Sequence, residues 1–107
     1  AINNKGLAYF EKNNLNQSIK LFEEAISIQD NAEPLLGLAS CKNINDPELA
    51  IQLAKKALAK DPKYVNYDYR KEQLWGEKLQ ASTEILLQNE QLKKDVILAK
   101  SKISESS

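Results

Sequence analysis

The chain offers few side chains that could make or break bonds. It has no histidine, and Cys41 is its lone cysteine. Without histidine a zinc site lacks a plausible ligand set, so no metal or other cofactor is expected. There is no glycine-rich phosphate loop and no Gly-x-Ser-x-Gly elbow. Catalysis needs groups poised near working pH, but Glu23, Glu24, Glu48, Lys55 and Lys56 read as ordinary solvated helix faces. The remaining chemistry is recognition. Arg70, the only arginine, stands beside Tyr64, Tyr67 and Tyr69. Aromatic and arginine side chains dominate many interfaces. Tyrosine also packs cores, because its ring is apolar and its tip polar. The cluster therefore reads either as a wedge under the preceding unit or as a contact surface. Trp75 reads as core. The expectation is a non-enzymatic protein with no small-molecule substrate.

These residues need elements to position them, and composition points to helices. The 107 residues hold only three glycines and three prolines, too few for a protein full of tight strand turns. Alanine, leucine, lysine, glutamate and glutamine dominate, and all favour helix. Fifteen basic and fifteen acidic residues give zero formal net charge, so no nucleic-acid partner is expected. No apolar run approaches the roughly 18 to 20 residues of a membrane span. The lone cysteine leaves the cell compartment unconstrained. The chain contains no methionine and opens at Ala1-Ile2-Asn3, already inside a helical pattern. A truncated or processed product is expected, with membrane contact only through a segment outside this chain.

Apolar spacing and breakers predict helices over 2–12, 14–29, 34–42 and 47–60. A long helix is predicted over 69–88, with Leu74, Trp75, Leu79, Ser82, Ile85 and Leu86 inward. A last helix is predicted over 90–103, with a frayed tail behind it. Asn14 or Asn16 can cap the second helix, and Asp46 before Pro47 the fourth. Segments 16–26 and 48–58 nearly repeat each other. With Ser18 laid on Ala50, Phe22 falls on Ala54, Ala25 on Ala57 and Asp30 on Pro62. An offset of about 32 residues lies in the range of stacked repeats.

Gly6, Tyr9, Ser18, Phe22 and Ala25, then Ala39, Ala50, Ala54, Ala57 and Pro62, resemble the tetratricopeptide repeat. In that family small residues sit where helices cross and large ones fill the gap opposite. Either Ala39 or Leu38 takes the small slot of the third helix. The resemblance implies an all-α, right-handed α-solenoid of antiparallel helix pairs forming a single domain over 1–107. Repeat one, partly truncated, spans 1–31 and repeat two 32–62. A divergent third pair over 63–104 acts as a cap, and 105–107 is tail. The 72–76 stretch and the 92–96 helix resemble repeat proteins of cyanobacteria and plastids.

The resemblance implies a scaffold that binds a peptide or partner protein on its concave face. The residues expected to be exposed there are Asn3, Leu7, Phe10, Glu11, Leu36, Ser40, Asn43, Tyr67, Arg70 and Gln73. Related co-chaperones hold a carboxyl-terminal tail with a lysine and an asparagine on the first helix. Here those positions are Asn3 and Leu7, so that function is not expected. The alternative is a self-associating assembly module, tethered to a membrane and serving photosynthetic complexes. Its homo-oligomer contact is expected through Ile2, Leu7 and Phe10 at the uncapped N-terminal end.

Overall fold

Short polar breaks cut this chain into helices too brief to stand alone, so packing must hold them. The computed structural model describes residues 1–106. Those residues form α1 (Ile2–Glu11), α2 (Leu15–Ile28), α3 (Ala32–Lys42), α4 (Pro47–Lys60), α5 (Tyr67–Glu72), α6 (Glu77–Leu87) and α7 (Lys93–Ser106), with 3-10 turns at Pro62–Val65 and Glu90–Leu92. No strand occurs among them. Ser107, the end of the expected tail, lies outside the described residues. The helix predicted to stop near Ile103 runs on to Ser106.

The first four helices follow their sequence signals. Asn14 Oδ1 accepts from the N–H of Gln17 and Asp46 Oδ1 from that of Leu49, both at 3.3 Å. Each bond satisfies a free N–H at a helix start. Helix α1 packs on α2 and α3 on α4, through connections short enough to force antiparallel pairs. Helix α2 in turn packs on α3.

The crossing of these helices is tight around Phe22, whose side chain is fully buried. A Cβ added to Gly6 would lie 2.9 Å from Phe22 Cε1, and one added to Gly37 would lie 2.8 Å from Phe22 Cζ. The ring therefore fills a slot that two glycines leave open. Gly37, rather than Ala39 or Leu38, is the small residue that answers Gly6. Residues 34–41 are all buried, so α3 is the central helix of the molecule.

The helix predicted over 69–88 is broken in two. Helix α5 stops after one and a half turns. Leu74 takes the left-handed conformation with φ 72. Its N–H reaches the Lys71 carbonyl at 3.0 Å, and the Trp75 N–H reaches the Arg70 carbonyl at 3.1 Å. That bond pair is the Schellman stop. The same pair closes α1, where Asn13 has φ 63, its N–H reaches the Phe10 carbonyl, and the Asn14 N–H reaches that of Tyr9. After the break the chain reverses, and α6 lies across α1 and α3. Leu74 and Ile85, expected inward, face solvent. Helix α7 then returns along α4 and the Pro62–Val65 turn, burying Ala99, with Val96 and Ile103 packed beside it.

Candidate functional site

The inner face of the two helix pairs is made by α1 and α3, and α6 occupies it. The seam buries Leu79 and Leu86 against the core and also carries polar contacts. The Glu11 carboxylate accepts from the N–H groups of Lys78 and Leu79, each at 3.0 Å. Gly76, the residue before α6, supplies no side-chain cap, so a side chain of α1 caps α6 from across the seam. Gly76 is needed for that approach, because a Cβ there would sit 2.2 Å from Glu11 Cδ. Farther along, Ser40 Oγ and Thr83 Oγ1 share a hydrogen bond of 2.7 Å. Each hydroxyl also lies 2.9 Å from a carbonyl of its own helix, Leu36 for Ser40 and Leu79 for Thr83, so one donates back while the other donates across the seam.

Arg70 ties the short α5 to α6. Its Nε donates to Gln80 Oε1 at 2.7 Å, Nη1 to the Tyr64 carbonyl at 2.7 Å, and Nη2 to Glu84 Oε2 at 2.6 Å. Gln80 Nε2 donates in turn to the Tyr67 carbonyl. Burial pulls the guanidinium below its usual range, while Glu84 opposes that shift. Arginine stays protonated at any ordinary pH.

Several residues expected on an open surface are interior. Leu7, Leu36, Ser40 and Arg70 are buried, because α6 and its approach cover the face they line. Asn3, Phe10, Glu11, Asn43 and Gln73 are half-buried. Tyr67 is the exposed member of the set, at 42%. The tyrosine cluster divides. Tyr64 is buried, edge-on to half-buried Tyr69 at 5.0 Å and tilted on Trp75 at 6.1 Å, and Tyr67 faces out. The expected self-association face is likewise largely spent, with Leu7 buried and Ile2 and Phe10 half-buried.

A second feature has no forerunner in the sequence reading. A cleft of about 690 Å³ opens between the starting ends of α1 and α3 and the finishing ends of α2 and α4. Glu33, in the first turn of α3, lines it. One carboxylate oxygen accepts from Asn3 Nδ2 and the other from Trp75 Nε1 at 2.9 Å. Burial pushes this carboxyl above its ordinary value, and the donors from Trp75, Tyr64 and Asn3 only partly offset that. Glu33 resembles any helix-start glutamate in sequence; only the fold brings Asn3, Tyr64 and Trp75 to it. Cys41 is buried, with its thiol pushed up to about 11 by burial. Among the described residues, no group of three or more His, Cys, Asp or Glu could hold a metal ion, and no helix is long and apolar enough to cross a membrane.

Paired antiparallel helices stacked about a glycine–phenylalanine crossing define an α-helical repeat protein. Residues 1–31 match the family model described as tetratricopeptide repeat. The match identifies one tetratricopeptide repeat over those residues. No curated protein and no solved structure matches the chain. Tetratricopeptide repeats generally mediate protein–protein interaction, and proteins built from them are typically non-enzymatic scaffolds.

Proposed function

We propose that this chain is a non-enzymatic protein-interaction module whose inner face receives a helix. In the described state its own α6 takes that place. One observation carries the reading: α6 lies across α1 and α3 and is fixed there by Glu11 and Ser40, side chains of the receiving helices. A helix-receiving groove of this kind recognises a partner through a few buried positions on one helical face. Here the positions are Leu79, Gln80, Thr83 and Leu86. A partner helix with the same pattern would compete for the same face. Binding on the concave side therefore means exchange with α6, rather than docking onto an open surface.

The test uses the chain's own sequence as ligand. A fluorescent peptide of residues 76–88 is titrated against the intact chain and against Gly76→Val. The added side chain displaces Glu11 and weakens the tethered helix. The tether gives the native α6 an effective concentration on the order of millimolar. The wild type should therefore bind the peptide at least about tenfold more weakly than the variant. If the variant keeps α1–α4 folded by circular dichroism and amide exchange yet ignores the peptide, α6 is ordinary core and the proposal fails.

A further inference from the structure

We infer that the cleft between the α1 and α3 starts and the α2 and α4 ends receives a lysine or arginine side chain of a partner polypeptide, with Glu33 as its counter-charge and Asn3 Oδ1 as a second acceptor. The inference rests on reading the chain as a protein-interaction module. The cleft, about 690 Å³, falls in the size range of ligand sites. Ile2, Ala25 and Ile28 give it apolar walls, and Ile28 is 70% exposed at the mouth. Such walls suit the methylene stem of a long cationic side chain, with its charged head at Glu33.

Two unmet needs among the residues lining the cleft specify the head group. Glu33 is a half-buried carboxylate with neutral donors on both oxygens and no cation. The ion pairs among the described residues join Asp30 to Lys56 and Lys60, Asp61 to Lys63, Asp95 to Lys55 and Glu84 to Arg70, and none involves Glu33. A buried carboxylate without a cation is raised in pKa, as this one is. Asn3 Oδ1 is buried with no donor at all. An unpaired buried acceptor is costly and seldom retained without a use. The start of α3 accounts for a negative charge at Glu33, but it gives no reason for the orphaned oxygen of Asn3. A cation bearing several N–H groups answers both at once.

The other groups facing Glu33 do not fill this role. Tyr64 and Trp75 are neutral donors beside it. On the rim, Lys60 is held by Asp30 at 3.4 Å, and Asp61 by Lys63. Ala1 also lines the cleft, so the assay uses protein with an acetylated Ala1.

The probes are N-acetyl-arginine amide, N-acetyl-lysine amide and the neutral isostere N-acetyl-citrulline amide. They are titrated into nitrogen-15-labelled intact chain and followed by amide shifts. The two cations should move the amides of Ile28, Ala32 and Glu33, and citrulline should not. Glu33→Gln should weaken cation binding about tenfold or more, the loss of one charge-assisted bond. The carbon-13 signal of the Glu33 carboxyl needs no variant, and its titration midpoint should fall when the cation saturates the cleft. Equal response to arginine and citrulline, unchanged binding in the glutamine variant, or an unmoved midpoint would overturn the inference. The α6 peptide assay is independent. Peptide binding with a silent cleft refutes the cleft alone, and the reverse refutes the inner-face reading alone.

Discussion

Replacing Glu11 by alanine tests whether α6 is a docked helix or a fixed part of the core. The Glu11 carboxylate accepts two backbone N–H bonds at 3.0 Å from the first turn of α6, and no residue of α6 itself caps that end. Losing a helix cap costs about 1 kcal/mol, within a range of roughly 0.5 to 2. A charged acceptor places the loss in the upper half, about 1 to 2 kcal/mol, while the exposed Lys78 N–H regains water and limits it. That energy corresponds to a factor of about 5 to 30 in an opening equilibrium. Native-state amide exchange reads it directly. Protection of residues 79–83 should fall by that factor in Glu11→Ala, and protection of residues 50–57 in α4 should hold. Gly76→Ala should act through the same carboxylate, because its Cβ would meet Glu11 Cδ at 2.2 Å. The two substitutions together should therefore cost little more than either alone. Unchanged exchange in α6, or an equal loss in α4, would refute the reasoning.

Arg70→Met should cost about 3 kcal/mol or more in urea unfolding, because Gln80 Oε1 and the Tyr64 carbonyl lose their buried donor. Glu84→Gln, at the half-exposed end of the same pair, should cost no more than about 1 kcal/mol. Leu74→Gly should stabilise the chain by about 0.5 to 1 kcal/mol in the same assay. Its side chain is 76% exposed, and the left-handed backbone costs leucine about 1 to 2 kcal/mol, part of which glycine's unfolded-state entropy takes back. The pH dependence of Glu33 has a definite sign. Its folded pKa lies above the ordinary 4.5, so the folded state binds the proton more tightly. Wild type should therefore gain stability relative to Glu33→Gln as pH falls from neutral through that raised pKa. The gain should be complete below the unfolded value, and a flat difference between their urea midpoints would count against a desolvated carboxylate.

The sequence disclosed the backing of this fold better than its face. Asn14 and Asp46 announced the turns before α2 and α4 because their side chains do the capping. Phe22 and Gly6 announced a close crossing because only a small residue can face a ring there. The stop after α5 gave no such sign. It has the same backbone bonds as the stop after α1, but leucine stands where asparagine or glycine usually marks the left-handed turn. Read without that stop, 69–88 became one helix, and Leu74 and Ile85 fell on the wrong side. The burial of Leu36, Ser40 and Arg70, expected to be exposed, follows from this break. A straight helix would leave Leu36, Ser40 and Arg70 beside an open groove, whereas a reversed one buries them. Glu33 was illegible for a different reason. Its partners Asn3, Tyr64 and Trp75 are remote in the chain, and nothing about a glutamate near a helix start distinguishes it.

The polarity of the seam gives the docking of α6 its character. Five polar or charged residues are buried among the described residues: Ser18, Ser40, Arg70, Gln80 and Thr83. Ser18 donates to the Gly6 carbonyl inside the first helix pair. The other four line the seam between α6, its approach and the receiving face. The Phe22 crossing, by contrast, is apolar, and exposing it would forfeit several kcal/mol of transfer and packing energy. Groups that hydrogen-bond across a seam can bond to water once it opens, so each adds only about 0.5 to 1.5 kcal/mol to closure. Each nevertheless fixes register, because a shifted helix would leave its partner unpaired. The seam also buries Leu79 and Leu86 fully, so its polar bonds set alignment while these leucines supply much of its strength. Under the proposed reading, a competing helix would have to reproduce that alignment.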